Sequence, residues 1–235
     1  MKNKQHIILK YSFSLLILAI VLSSCSTKKN TFVSRNYHNV VSHYNGYFNA
    51  REILKEENKI LKETHKDDYS QLLPIFIYPT EDQSDALIPK MDVVIEKSST
   101  VIERHSIYKR KKEHVKWIDD SYYLIGQAQF NKGNLVSAEE TFLYIYQGFK
   151  DEPIRYDAIL WLIRTHIEKE EWDKVETYFE VIDDDVSFPD EKAGLFNAVY
   201  ADYHLKKDED YENAILRLEE AIRFTEERED KARYT

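Results

Sequence analysis

Tyr122-Tyr123-Leu124-Ile125-Gly126-Gln127-Ala128-Gln129-Phe130, broken by Asn131, Gly133 and Asn134 and followed by Leu135, Ala138, Phe142 and Ile145, decides the fold. The first nine residues make an apolar-faced helix, and the Asn/Gly cluster reads as a turn. Residues 135–146 make a second helix, with the four named side chains spaced 3-4-3 along one face. The pattern then returns. Ile159, Leu162, Ile163 and Ile167 face inward on a third helix, a polar turn covers residues 168–171, and Trp172, Val175, Phe179 and Ile182 repeat the 3-4-3 spacing. A third copy runs through Ala198, Ala201 and Leu205, then Tyr211, Ala214, Leu218 and Ala221. Matching positions lie 37 residues apart (Phe142 to Phe179) and then 39 (Phe179 to Leu218). Helix pairs recurring at such a period predict an all-α chain, an α-solenoid of antiparallel pairs.

The pairs resemble the tetratricopeptide repeat. Gly126 stands at the close helix contact, Gly133 in the turn, and Ala138 and Phe142 in the second helix of the pair. The second copy departs from the pattern, with Ile163 where Gly is usual and Val175 where Ala is usual. The longer period implies an extra turn between units. The repeats are placed at about 119–155, 156–194 and 195–229, with a fourth opening at residue 230 inside a repeat region spanning 114–235. The abrupt end suggests the front of a longer protein.

The start of the chain carries a different signal. Lys2, Lys4 and Lys10 precede an apolar run from Tyr11 to Leu22, too short to span a bilayer comfortably, and Leu22-Ser23-Ser24-Cys25 closes it. Those four residues resemble the bacterial lipobox. The resemblance implies a signal peptide over residues 1–24, cleavage before Cys25 and acylation of Cys25, the only cysteine in the chain. Losing the leader takes the net charge from −9 to about −12, which argues against nucleic acid as a partner and against adhesion to anionic lipid by charge alone. Attachment is left to the acyl chains.

Between anchor and repeats, residues 25–33 read as a flexible tether and residues 34–113 as an irregular helical region. Residues 36–44 predict a helix, Asn45-Gly46 a turn, and Tyr47, Ala50 and Leu54 a second helix. Pro74 and Pro79 exclude a long helix over residues 73–79, which are expected to lie extended across a groove. Residues 85 to about 109 predict a long amphipathic helix. Lys109-Arg110-Lys111-Lys112 reads as a solvated helix end, with a docking patch for an acidic partner as the alternative.

No catalytic motif, phosphate loop or cysteine pair is present in the sequence, and neither an enzyme nor a cofactor, metal or small-molecule substrate is expected. His166, near Glu168, reads as a packing residue. Asp183-Asp184-Asp185 reads as an exposed loop, and His105, His114 and Glu103 lack any established metal spacing. Binding is better supported. With Gly126 at the eighth position of its repeat, the face turned to the concave surface is Asp120, Tyr123, Gln127 and Asn131. Its counterparts are Asp157, Leu160, Arg164 and Glu168, then Phe196, Val199, Tyr203 and Lys207. Such stripes suit a protein or peptide partner, or are simply a wet helix face.

Residues 26–30 (Ser-Thr-Lys-Lys-Asn), Phe32-Val33-Ser34-Arg35-Asn36-Tyr37-His38, His43-Tyr44-Asn45-Gly46-Tyr47-Phe48-Asn49-Ala50-Arg51-Glu52, Ile77-Tyr78-Pro79 and Ile118-Asp119-Asp120-Ser121-Tyr122-Tyr123-Leu124-Ile125-Gly126 together resemble the SprE/PorW lipoproteins of Bacteroidetes gliding motility and type IX secretion. The resemblance implies a lipid-anchored scaffold without enzymatic activity, linking the outer-membrane translocon to the periplasmic ring. With no acidic run after Cys25, a periplasm-facing outer-membrane anchor is expected rather than cell-surface display. Two other readings stay open: a barrel-assembly lipoprotein of the BamD kind, and a SusD-like glycan-binding lipoprotein.

Overall fold

The computed structural model describes residues 29–226 and 228–235. The expected signal peptide, the acylation of Cys25 and the first part of the tether lie outside the described residues. Among the described residues the chain is all-α apart from one short hairpin, and no helix is long and apolar enough to cross a membrane.

Helix α1 (Phe32–Val41) begins within the expected tether, because the Thr31 hydroxyl accepts the Ser34 amide and caps it. It continues through a π-helical turn (Ser42–Tyr47) into α2 (Phe48–Thr64). The turn expected at Asn45-Gly46 is therefore absent: the chain stays helical and widens, with the Phe48 amide bonding the His43 carbonyl five residues back. Gly46 serves a close crossing instead. A Cβ there would stand 2.2 Å from Val101 Cγ2 on α3 (Glu81–His105).

Helix α3 starts four residues earlier than the apolar pattern indicates. Thr80 and Gln83 form a reciprocal capping box, Gln83 Oε1 accepting from the Thr80 amide at 2.9 Å. It also ends earlier, at His105, and the basic run after it is not a helix end. The run folds as a hairpin, β1 (Tyr108–Lys109) against β2 (Lys112–Glu113), with Arg110 and Lys111 at φ +54° and +62°. Two left-handed residues in a two-residue loop match the twist of a tight hairpin. Glu113 holds this corner: its Oε1 accepts from the Ile107, His114 and Val115 amides at 2.9, 2.8 and 3.0 Å.

The repeats follow as α4 (Trp117–Asn131) with α5 (Leu135–Gly148), α6 (Ile154–Glu168) with α7 (Trp172–Asp183), and α8 (Ala193–Asp208) with α9 (Tyr211–Phe224). Helix α10 (Arg228–Tyr234) follows and packs against α9. The expected core positions Ala138, Phe142, Ile145, Val175, Phe179 and Ile182 are all buried. Truncating a fully buried Phe such as Phe142 to Ala costs about 3–5 kcal/mol. Gly126 is small because it must be: a Cβ would lie 2.6 Å from the Phe142 ring.

Each turn inside a pair holds one left-handed residue, at Gly133, Glu170 and Glu209. The first two turns close alike, Asn134 N–H bonding Gln129 and Glu171 N–H bonding His166, each five residues back. In the third, Asp210 N–H reaches His204, six residues back. One extra residue thus sits in the last turn of α8. Ala201, packed with Ala198, Ala214 and Ala221, therefore takes the place that Gly126 holds in the first pair.

Candidate binding groove

The first helices of the pairs, α4, α6 and α8, share a face crossed by residues 73–79. Two prolines in seven residues keep this strap out of helix, and its side chains find partners on successive helices. The Tyr78 ring lies 4.9 Å from that of Phe130 on α4, and its hydroxyl accepts from Arg164 Nε on α6 at 2.7 Å. Phe76 covers Arg164, whose guanidinium carbon is 4.2 Å from the Phe76 ring and 3.9 Å from the Trp161 ring. Ile75 is buried with Ala198 and Ala201 of α8 and Tyr234 of α10. At the far end Arg233 donates from Nε to the Pro74 carbonyl at 2.8 Å and from Nη1 to Asp67 at 2.6 Å. The extended packing expected for this segment is what the structure has, and the groove it fills is the face shared by the first helices of the three pairs.

Charge on this face is paired across helices. Lys206 bonds Glu168 on the preceding pair and lies 3.1 Å from Asp202. Burial would lower the Lys206 ammonium, but the Asp202 and Glu168 carboxylates outweigh it and leave the ammonium raised. Burial pushes the Asp202 carboxyl up, against the pull of Lys206, and pushes the Tyr78 phenol well above its ordinary range. At the opening of α4, burial and then Asp120 push Asp119 up to about 7, while burial and then Asp157 push Asp120 up to about 6.

The residues expected to line the face divide by repeat. From the first, Asn131 donates to Asn58 Oδ1 of α2 at 2.9 Å, and Gln127 shares a shallow cavity with Arg51 and Leu54 of α2. Tyr123 is packed against Phe142, and Asp120 lines a separate cavity with Asp119 and Asp157. From the second, Arg164 is the centre of the groove, Glu168 reaches Lys206, and Asp157 pairs with Lys192 at 2.6 Å. Leu160 is interior. The third set is corrected. Phe196, Val199 and Tyr203 are buried against α7 among Phe179 and Val175, and Lys207 turns the same way, donating to the Tyr203 hydroxyl at 3.0 Å and bonding Glu176. The extra residue at the end of α8 displaces any stripe counted back from the turn by one position. The groove side of α8 is Leu195, Ala198, Asp202 and Lys206.

Sequence reasoning missed Trp161 and Lys206 as groove components, and placed residues 73–79 across a groove without singling out Phe76 and Tyr78. The signal for those two was an aromatic pair set between Pro74 and Pro79, too bulky to be left in solvent. A cavity of about 370 Å³ remains beside the strap, bounded by Asn58, Leu61, Ile77, Trp161, Leu195 and Tyr234.

One cluster lies outside the groove. Glu139, His166 and Glu171 bring one possible ligand atom each within 4.8 Å of one another. His166 is buried, as a packing residue should be, but its partner is Glu171 (Nδ1 to Oε2 2.7 Å) and not the nearby Glu168. Lys169 and Lys174 both bond Glu139 and Glu171, so each carboxylate already faces ammonium groups. Burial opposes the charge on Glu171, but those lysines and His166 bring its carboxyl down to about 2. This is a self-neutralised network around the turn after α6.

No protein-family profile matches the chain, and no curated protein is similar to it at a significant level.

Proposed function

We propose that the protein is a non-enzymatic scaffold, held to the outer membrane by acylated Cys25 and facing the periplasm, that joins subunits of the type IX secretion and gliding motility machinery. The observation that carries the scaffold reading is the strap: the array already grips an extended segment of its own chain, residues 73–79, as a groove of stacked helix pairs grips a peptide. Aromatic rings, a guanidinium and paired charges supply the contacts, a chemistry suited to protein and not to a small substrate. The lipobox and the resemblance to SprE/PorW lipoproteins supply the anchor and the machine. With the strap seated, partners engage the rims of the array and the hairpin, or displace the strap and take its place.

Deleting the gene should stop export of substrates carrying C-terminal sorting signals and abolish colony spreading. Normal export and spreading would contradict the proposal. Co-purification with a barrel-assembly protein in place of secretion subunits would favour the BamD-like reading, and binding of polysaccharide the SusD-like one.

A further inference from the structure

The helical stretch from α1 through the π-helical turn is two-faced. His38, Ser42, Tyr47 and Ala50 are buried. His38 meets His105 at the end of α3, and Tyr47 stacks with Trp117 of α4 at 5.0 Å. The opposite face presents Val33, Tyr37, Val40, Tyr44 and Phe48, spaced 4-3-4-4, all exposed, with Val40 at 57% and Tyr44 at 67%. The inner face already serves the fold, so this outer stripe is left over.

We propose that this outer stripe rests on the lipid bilayer surface. The inference rests on the anchored reading above and adds a second point of attachment. Three observations select lipid as the occupant. Phe32 follows Cys25 by seven residues, which reach at most about 25 Å when fully extended, so an acylated Cys25 holds the start of α1 within that distance of the headgroups and raises its local concentration there. Residues 26–50 carry Lys28, Lys29 and Arg35 and no Asp or Glu, although the chain as a whole is strongly acidic; Arg51, which follows, is paired with Glu52 at 3.0 Å. The basic segment therefore matches an anionic surface that the rest of the protein would repel. The side chains are of the interfacial type, tyrosines with an apolar ring and a polar tip beside smaller apolar groups. Docked this way, the stripe orients the array against the membrane, which a flexible acyl tether alone would not do.

Because Cys25 is the sole cysteine, Val40→Cys puts one thiol at an exposed site, and a separate variant, Val186→Cys, puts one in the loop after α7 as a fully exposed control. The acylated full-length protein is purified from membranes, spin-labelled and placed in vesicles of phosphatidylethanolamine with phosphatidylglycerol. The nitroxide at position 40 should be several-fold more accessible to oxygen, and less accessible to a water-soluble nickel chelate, than the one at position 186. Adding Tyr37→Asp and Tyr44→Asp should abolish that difference without changing the helical circular dichroism. Equal water exposure at 40 and 186 overturns the inference, as does a label at 40 immobilised and shielded from both reagents, which would mean a protein contact. Two labels per chain would show a free Cys25 thiol, overturning the anchored reading itself and the inference with it.

Discussion

The seating of the strap can be tested at one bond. Tyr78→Phe removes only the hydroxyl that accepts from Arg164 Nε at 2.7 Å, leaving the ring on Phe130 in place. A hydrogen bond to a charged donor contributes about 1.5–3 kcal/mol, and the solvent that still reaches the strap brings the expected loss to roughly 1–2 kcal/mol. Arg164→Met breaks the same bond from the other side and also strips the guanidinium from the Trp161 and Phe76 rings, a further loss of about 1 kcal/mol or more. If the two side chains meet in solution, the double variant loses less than the sum of the singles. The predicted coupling is about 1–2 kcal/mol, from urea midpoints at constant m. A coupling below about 0.5 kcal/mol would show that Tyr78 and Arg164 act independently, and the strap would not be seated as described.

Other outcomes follow from single contacts. Gly126→Val drives a side chain into the Phe142 ring and should cost about 1–3 kcal/mol, a melting point roughly 3–10 °C lower; an unchanged melt would contradict the close α4–α5 contact. Asp119, pushed up to about 7, holds its proton better folded than unfolded, so its contribution is intact below pH 4 and lost as pH rises through 7. Asp119→Asn should therefore gain stability relative to the parent between pH 5 and pH 8, by about 1–2 kcal/mol after allowing for residual solvent; a pH-independent difference would refute this. His38 and His105 face each other Nδ1 to Nδ1 at 2.8 Å, a bond with room for one proton. Burial and then His38 push His105 down, so the stability it lends is present above about pH 6.5 and lost as pH falls through its folded value. Protection of the α1 amides, taken as exchange relative to the intrinsic rate at each pH, should fall below pH 6, and His105→Gln should weaken that fall; protection that stays constant across this range would count against the pair.

Period and turn chemistry made the helix pairs legible, since Ala138, Phe142, Val175 and Phe179 repeat a pattern that only buried helix faces require. What the pattern hid was local. The one-residue expansion at the end of α8 leaves no compositional mark: Glu209, at φ +51°, occupies the left-handed position that Gly133 marks openly in the first pair. Phe196 and Tyr203, the counterparts of Asp120 and Gln127 at the repeat spacing, therefore belong to the core and not to the groove. Asn45-Gly46 has turn composition, yet the glycine serves the crossing at Val101, a tertiary demand that local sequence does not encode. Arg110 and Lys111 look like a solvated helix end and instead close a hairpin, because Glu113 gathers the amides around it. By contrast Thr80 and Gln83, three residues apart, carry a readable capping-box signal, and it lies upstream of the apolar pattern that begins further on. The prolines of the strap indicate an extended segment; its destination depends on Arg164, nearly ninety positions later in the chain.

The claim that this array holds other proteins together is tested most directly by crosslinking mass spectrometry on native membranes, reading lysine crosslinks from Lys207 and from the hairpin lysines Lys109, Lys111 and Lys112. Crosslinks are expected from these positions to subunits of the secretion and motility machine, alongside intramolecular links between α2 and the repeats. Crosslinks confined to the chain itself, or running only to a barrel-assembly protein, would contradict the claim.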